Sequence, residues 1–350
     1  MYLDAVNTVD SYFSHIQTKS KSTQSSSKIA LDWFDKFLLG KFGKPTTTVL
    51  EDLMSQKADH QKQSKNLFAI LQDFINYLKI QETSPSTIRE YFNLVKKYLN
   101  WYGFEVYSES VKSRLNFPQK IQDEEDYGLT LEDMKKIING ASANRRALYF
   151  FLSSTGMRIQ ETLKLRKRDL DFSCERTMII IKGSYTKTKK PRKTFITKEA
   201  FWNLKPILKN KNDDDLIFTD NEDSEKAKHL EQTSFHLLRT KIGLDDRYTN
   251  GIHKITLHSF RSWFITQCNR YDSSFGHALA GHGRYMKKYV RETDSFRCGK
   301  YTKIEPYLSI FERVDVDQEQ KIETQSKKIL ELEDKVNTLV TLYQLTKKLS

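Results

Sequence analysis

The sequence predicts a mainly α-helical protein with a small β-hairpin, arranged as two domains followed by a coiled-coil tail. Three observations predict this class. Apolar residues recur at helical spacing along most of residues 1–117. Two β-branched runs, at 177–181 and 193–197, flank a basic turn in the second domain. In the final segment, 315–350, apolar residues recur every seven positions.

Three stretches of the first domain, residues 1–117, have the periodicity and end signals of helices. "SSSKIALDWFDKFLLGKFG" has an apolar face and ends at Gly40 or Gly43. "SKNLFAILQDFINYLKI" continues the same pattern. "SPSTIREYFNLVKKYLNWYG" opens with Ser84 as the N-cap and Pro85 in the first turn. These segments predict a small helical bundle that carries basic residues on its surface.

Composition sets the segment 118–128 and the tail apart from the two domains. "PQKIQDEEDYG" is polar, contains a proline and a glycine and breaks the helical pattern, so we interpret it as an interdomain linker. The tail, 315–350, predicts a short coiled coil that pairs subunits or folds back onto the body of the chain. Its repeat positions are Ile322, Ile329, Val336 and Tyr343, with Leu332 and Leu339 in the second seam position.

Residues 129–314 predict a domain that mixes helices with a short strand region. Thr130 and Asp133 have the spacing of a capping box, and "RALYFFLSSTG" is a strongly apolar helix that ends at Gly156. We interpret "NDDDL" as a loop, because three adjacent carboxylates cannot all face one ion from a regular element. Further helices are predicted around 198–209, 224–242 and 256–270.

The charge balance indicates a polyanionic partner. The 350 residues include 58 basic and 45 acidic side chains, which gives a formal net charge of +13. Each lysine or arginine that neutralises a phosphate releases condensed counterions, so such a surplus favours binding to nucleic acid. A highly solvated surface would produce the same composition.

Several classes of protein do not fit the sequence. No apolar run reaches the length of a membrane span, and no secretory signal pattern opens the chain, so we expect a cytoplasmic, nucleoid-associated protein. The three cysteines, Cys174, Cys268 and Cys298, are spaced for neither a metal site nor a disulfide framework. No nucleotide-cradling glycine loop is present. We therefore expect neither a metal nor a cofactor.

Five short motifs follow one another in the second domain: "TGMRIQE", a lysine-rich hairpin turn, "HSFR", "GH" and a tyrosine. In this order they resemble the tyrosine recombinase (phage-type integrase) family. The resemblance covers most of the chain. Residues 84–103 resemble the last helices of that family's core-binding domain, and 129–313 resembles its catalytic domain. "YTKTKKPRKTFIT" and "VRETDSFRCGKYTKIEPYLSIF" are most similar to integrases of archaeal viruses and mobile elements.

The resemblance implies a metal-free attack on a DNA phosphodiester. Arg158 and Arg261 would clamp the non-bridging oxygens, because a guanidinium matches phosphate bidentately and stays charged. His258 and His282 would donate hydrogen bonds to the same phosphate or move protons near neutral pH. A tyrosine would form a 3′-phosphotyrosyl link that conserves the energy of the phosphodiester, so religation needs no ATP.

Lysines of the hairpin turn compete for the role of the general acid that protonates the leaving 5′-hydroxyl. Lys187 matches the family pattern, because it precedes Arg192 by five residues. Lys189 and Lys190 remain alternatives, with phosphate contact as their other role.

Four tyrosines compete for the role of nucleophile: Tyr285, Tyr289, Tyr301 and Tyr307. In most relatives the nucleophile follows the second histidine by about nine residues, and the residue at that distance here is an arginine. Tyr285 is too close to that histidine, and the apolar spacing around Tyr301 and Tyr307 suggests packing. We predict Tyr289, which a two-residue deletion aligns with the family, acting in its own or a neighbouring subunit.

The resemblance implies a site-specific recombinase that integrates or excises a mobile element. We expect its two domains to hold opposite faces of a double-stranded DNA attachment site, and four subunits to assemble there. An accessory DNA-bending or directionality protein is a further expected partner. Two alternatives stay open: a type IB topoisomerase-like or telomere-resolving enzyme, and a DNA-binding relative without catalysis.

Overall fold

The chain forms two compact units in the computed structural model. The units are Met1–Asp123 and Glu124–Ser350, so the boundary falls inside the segment that we interpret as the linker. The predicted coiled-coil tail lies outside the described residues and stays a prediction. The described residues are 8–121, 124–282 and 292–311.

The described part of the first unit is helical, as the sequence predicts. Gly43, and not Gly40, ends the second helix, because Gly43 adopts the left-handed conformation at φ 65°. Ser84 caps the fifth helix with its side chain, and Pro85 occupies the first turn. The helices are α1 (Val9–His15), α2 (Lys21–Phe42), α3 (Thr46–Met54), α4 (His60–Ile80), α5 (Pro85–Tyr102) and α6 (Ser108–Arg114).

One apolar core holds the first unit together. The apolar face of α2 packs against α5, and α4 closes the bundle. Phe34, Phe74 and Tyr98 are almost fully buried at the centre, where Phe34 and Phe74 meet edge to face with ring centroids 5.0 Å apart. The apolar residues that recur at helical spacing in the sequence therefore form this core.

The second unit combines helices with a small antiparallel sheet. The predicted hairpin is confirmed, with Ile179 paired to Thr194. The elements are α7 (Leu131–Gly140), α8 (Ala143–Thr155), α9 (Ile159–Thr162), β1 (Leu170–Asp171), β2 (Met178–Ile181), β3 (Arg192–Phe195), α10 (Lys198–Lys209), α11 (Ser224–Lys241), α12 (Ser259–Asn269), α13 (Ser273–Ala280) and α14 (Asp294–Leu308).

Two details of the second unit differ from the sequence prediction. The strand β1 was not predicted, and it pairs with β2 through Leu170 and Ile179. The helix predicted around 256–270 begins three residues later, at Ser259, because a turn bonds the Ser259 amide to the carbonyl of Thr256. "NDDDL" lies in the predicted loop, between α10 and α11.

The helix α8 is the centre of the second unit. Its residues 147–155 are all buried, as expected for a helix that is apolar on every side. It packs against α10, α12 and β3. A second apolar cluster, which includes Phe195, Phe264 and Tyr301, joins the sheet to α12, α13 and α14. This packing brings the end of α8, the start of α12 and the end of α13 together. None of the helices within the described ranges could span a membrane.

Candidate active site

Arg158 lies at a sharp turn between α8 and α9. Gly156 ends α8 in the left-handed conformation, at φ 61°, and a Cβ there would lie 2.2 Å from Cδ1 of Phe264. Only a glycine therefore fits between α8 and α12. The turn leaves Arg158 as the N-cap of α9, with its side chain 35 % exposed and Nη1 3.2 Å from Oε1 of Glu161.

The buried carboxylate of Glu161 binds a second arginine. Arg192 on β3 donates from Nη2 to Oε2 of Glu161 at 2.5 Å and from Nε to the carbonyl of Leu279 at 3.0 Å. Burial alone would raise the pKa of Glu161, but the hydrogen bond and charge of Arg192 and the charge of Arg158 hold the pKa below its usual value. Arg192 thus ties α9, β3 and the end of α13 together.

Arg261, in the first turn of α12, is 2 % exposed. Its Nη1 donates to the carbonyls of Gly156 at 2.7 Å and Ala280 at 2.6 Å. Its Nη2 is buried and has no hydrogen-bond partner in the described ranges. Burial, with the charges of Arg158 and Arg192, lowers the pKa of Arg261 to about 10, so the guanidinium stays charged at neutral pH. A buried charged donor without a partner is a position for an anion.

His258 and His282 approach the same arginines from two helix ends. His258 is the exposed N-cap of α12, and desolvation followed by the charges of Arg261 and Arg158 lowers its pKa. His282 follows Gly281, which ends α13 at φ 85°. Burial, then the charges of Arg261 and His277, lower the pKa of His282 as well. Both imidazoles are therefore mainly neutral at pH 7.

A cavity of about 760 Å³ opens beside Arg158 and His258, within the second unit. Basic side chains supply much of its wall, so it suits an anionic ligand. Besides Arg158 and His258, the basic and imidazole side chains that line it are Lys228, His236, Arg239, Arg247 and His253.

The three predicted lysines lie in the exposed turn between β2 and β3. Within the described ranges Lys187 makes no hydrogen bond or ion pair, and its side chain is exposed. Lys182, which sequence reasoning missed, is different: its Nζ lies 2.7 Å from Oδ1 of the buried Asp169. Asp169 also accepts a hydrogen bond from Tyr185 at 2.9 Å. This network anchors the base of the hairpin that presents Lys187.

The tyrosines of α14 are core residues, as their apolar spacing suggested. Tyr301 is fully buried and donates to the carbonyl of Ser154 at 2.7 Å, and Tyr307 is 8 % exposed. Burial raises the pKa of Tyr301 well above its usual value. Tyr285 and the predicted nucleophile Tyr289 lie outside the described residues, so Tyr289 stays a prediction.

One cluster of the described residues has metal-ligating groups within reach of one another: His236, Asp245 and His253. Arg239 already donates to two of these ligands, to Nδ1 of His236 and to Oδ1 of Asp245, each at 2.9 Å. The guanidinium occupies the position that a cation would take. We therefore interpret the cluster as an ion-pair network that fixes the wall of the cavity.

The family model for the phage integrase family matches residues 127–284. The matched segment contains every residue of the site described above, from Arg158 to His282. Residues 127–284 belong to the phage integrase family of tyrosine recombinases.

The chain is similar to archaeal tyrosine recombinases. It is 26% identical over 255 residues to the tyrosine recombinase XerA of Thermococcus onnurineus, a match that covers 61% of this chain and 86% of XerA. The XerA of Pyrococcus furiosus is 24% identical over 242 residues, covering 56% and 79%. A crystal structure of a lambda integrase dimer bound to a COC′ core site overlaps with 75% of this chain and 98% of that one, at 14% identity and a TM-score of 0.48.

Two parts of the candidate site were not predicted as such from the sequence. Arg192 entered only as the end point of the lysine pattern, and its buried bond to Glu161 spans 31 positions. His277 was not singled out at all, although its Nδ1 lies 2.8 Å from Nδ1 of His282. The sequence feature that could have indicated His277 is its position on the helix that ends next to His282.

Proposed function

We propose that the chain is a site-specific DNA recombinase that cuts and rejoins duplex DNA through a 3′-phosphotyrosyl intermediate. The observation that carries the proposal is the buried Arg261, whose Nη2 has no partner among the described residues while Nη1 is fixed by two carbonyls. A buried unpaired donor costs about 1–3 kcal/mol, and an anion at this position removes that cost. The scissile phosphate is that anion.

The two arginines stabilise the phosphate as it gains negative charge. Arg261 is held rigidly by backbone carbonyls, and Arg158 is held by the carboxylate of Glu161. Fixed donors need no reorganisation during the reaction, so their interaction is strongest in the transition state.

The histidines act as neutral hydrogen-bond donors to the same phosphate. The low pKa of each imidazole follows from partial desolvation and from the neighbouring arginines. A neutral imidazole donates through one nitrogen without adding charge to a site that already holds two guanidinium groups. His258 and His282 approach from different helices, so each can contact a different phosphate oxygen.

Tyr289 is the nucleophile and Lys187 the general acid in this proposal. The phenolate oxygen of Tyr289 attacks phosphorus, and the bond from phosphorus to the 5′-oxygen breaks. Lys187 gives its proton to the leaving 5′-oxygen. The reverse reaction, with the 5′-hydroxyl of another strand as the attacking group, rejoins the DNA with no net change in the number of phosphodiesters.

The partners follow from the same proposal. Double-stranded attachment sites of a mobile element are the substrate, and the net charge of +13 favours phosphate contacts that steer the chain to DNA. The helical first unit acts as a core-binding domain, a synaptic tetramer exchanges the strands, and the tail contributes to assembly. A DNA-bending or directionality protein sets the outcome, in the nucleoid of the host cell.

The test is covalent trapping without metal. Duplexes tiled across the DNA that flanks the coding sequence, each with a nick beside the expected cleavage position, would be incubated with the protein in EDTA. Loss of the short 5′-hydroxyl strand prevents religation, so we expect a protein–DNA band that survives denaturation. Strand exchange between two duplexes would mark a recombinase, and relaxation of supercoils alone a topoisomerase. Binding without any adduct would overturn the proposal.

A further inference from the structure

His277 and His282 are joined by two hydrogen bonds. The backbone amide of His282 donates to the carbonyl of His277 at 2.9 Å, which closes the last turn of α13 at Gly281. The side chains then meet, with Nδ1 of His277 2.8 Å from Nδ1 of His282 and ring centroids 5.1 Å apart. The helix end therefore fixes the relative position of the two rings.

The short contact between the two Nδ1 atoms allows one proton. Two protonated Nδ1 atoms would place N–H groups face to face, and two unprotonated ones would oppose their lone pairs. One ring donates and the other accepts. If His282 accepts at Nδ1, its own proton must reside on Nε2, because a neutral imidazole carries one N–H. Hence the direction of this hydrogen bond decides which nitrogen of His282 can donate elsewhere.

We propose that His277 is a positioning residue that donates from Nδ1 to His282 and so holds His282 in the tautomer with the proton on Nε2. That tautomer is the one that donates a hydrogen bond from the ring edge opposite His277 to the scissile phosphate. The inference rests on the proposed function, and it adds a residue that does not touch the DNA. A second-layer partner that fixes an imidazole's tautomer is a general device in sites where histidine must donate.

The charged groups around His282 keep its ring neutral, so the ring carries a single N–H. Arg261 from α12 and Arg158 from the start of α9 place positive charge near the ring and, after burial itself, lower its pKa. His258 and His277 are the other titratable groups that act on the ring. Next to Gly281, the guanidinium of Arg192 packs against the backbone. With cations on several sides, a neutral His282 is more stable than an imidazolium. A neutral His282 that donates to the phosphate from Nε2 must then accept at Nδ1.

Three substitutions of His277 separate positioning from packing. His277→Asn keeps an amide donor near the position of Nδ1, and His277→Asp places a carboxylate, which only accepts, in the same space. His277→Phe keeps an aromatic ring against His282 but no donor. If His277 only packed against His282, the Asn and Asp variants would lose cleavage activity to the same extent, and the Phe variant would lose little. The positioning role predicts that Asn stays near wild type and that Phe cleaves about tenfold more slowly.

The direct readout is nitrogen NMR of the full-length protein labelled with 15N-histidine, which has eight histidines to assign. In the wild type we expect one proton coupled to both Nδ1 atoms, with its larger coupling to His277, and the single proton of His282 on Nε2. In His277→Asp we expect the bridging proton on Nδ1 of His282. A bridging proton bonded to His282 in the wild type, or no bridging proton at all, would overturn the proposal.

The rate of covalent trapping distinguishes the positioning role of His277 from the proposed recombinase function. Covalent trapping by the Asp variant should decline as pH rises, because a carboxylate neighbour makes His282 a donor at Nε2 only while it is an imidazolium. The Asn variant should follow the wild-type pH profile. Matching profiles for Asn and Asp would contradict the positioning role even if both cleave. A wild type that forms no adduct, yet shows the expected bridging proton, would refute the recombinase function and leave the tautomer assignment standing.

Discussion

Arg192 and Glu161 form a buried ion pair, with Nη2 2.5 Å from Oε2 and both side chains less than a tenth exposed. Because Glu161 also accepts from Arg158, one carboxylate connects the β3 strand to the residue that we assign to the scissile phosphate. The strength of this pair therefore affects both folding and the shape of the site.

Glu161→Gln should destabilise the second unit by about 3 kcal/mol, because it leaves the buried guanidinium of Arg192 without its counter-charge. The free energy of unfolding in urea measures the effect. Glu222→Gln is the matched control: Glu222 pairs with Arg166 while 71% exposed, and its loss should change the free energy by less than about 1 kcal/mol. Equal effects of the two substitutions would contradict the buried pair.

The same pair predicts a pH dependence of stability. The pKa of Glu161 in the folded state lies below its usual value of 4.5, so its contribution is fully present above that pH and disappears as the pH falls through the folded pKa. Unfolding free energies between about pH 7 and about pH 3 should show the difference between wild type and Glu161→Gln shrinking toward acid. A constant difference would show that Glu161 is not ionised in the fold.

Arg261→Lys should slow covalent cleavage by about a hundredfold to a thousandfold, since an ammonium cannot both keep the two carbonyl contacts and reach the phosphate. DNA binding, which depends on many phosphate contacts, should change little. Arg270→Lys, an exposed arginine at the other end of α12, is the control and should cleave normally. A gel-based rate of adduct formation measures both, and a normal rate for Arg261→Lys would remove Arg261 from the site.

Lys187→Ala should be rescued by a better leaving group. If Lys187 protonates the 5′-oxygen, replacing that oxygen with sulfur removes the need for an acid, because a thiolate leaves unprotonated. We expect the variant to cleave the sulfur-containing strand at nearly the wild-type rate and the normal strand slowly. Lys189→Ala and Lys190→Ala serve as controls. Rescue of one of these controls instead would move the acid role to that lysine.

The local features of this fold could be predicted from the sequence. Ser84, Pro85 and the capping box at Thr130 mark helix starts through contacts within a few residues, and the structure confirms them. The strand β1 escaped prediction because its two residues have no periodicity and depend on pairing with β2. A strand of two residues is too short to show an alternating pattern in the sequence.

The candidate site was predictable in its residue types but not in its support. The order of the motifs pointed to Arg158, His258, Arg261 and His282, and the fold brings these four together. The contacts that hold them, such as Arg261 with the carbonyl of Gly156, span 105 positions and leave no trace in local spacing. Long-range packing decides which of many polar residues support a site.

The central claim is that the chain attacks DNA with a tyrosine just beyond His282. The most direct measurement is peptide mapping of the trapped protein–DNA adduct by mass spectrometry, for the wild type and for Tyr289→Phe, with Tyr301→Phe as a buried-tyrosine control. The account predicts a nucleotide on Tyr289, no adduct in Tyr289→Phe, and an adduct in Tyr301→Phe. A nucleotide on any other residue, or an undiminished adduct in Tyr289→Phe, would contradict it.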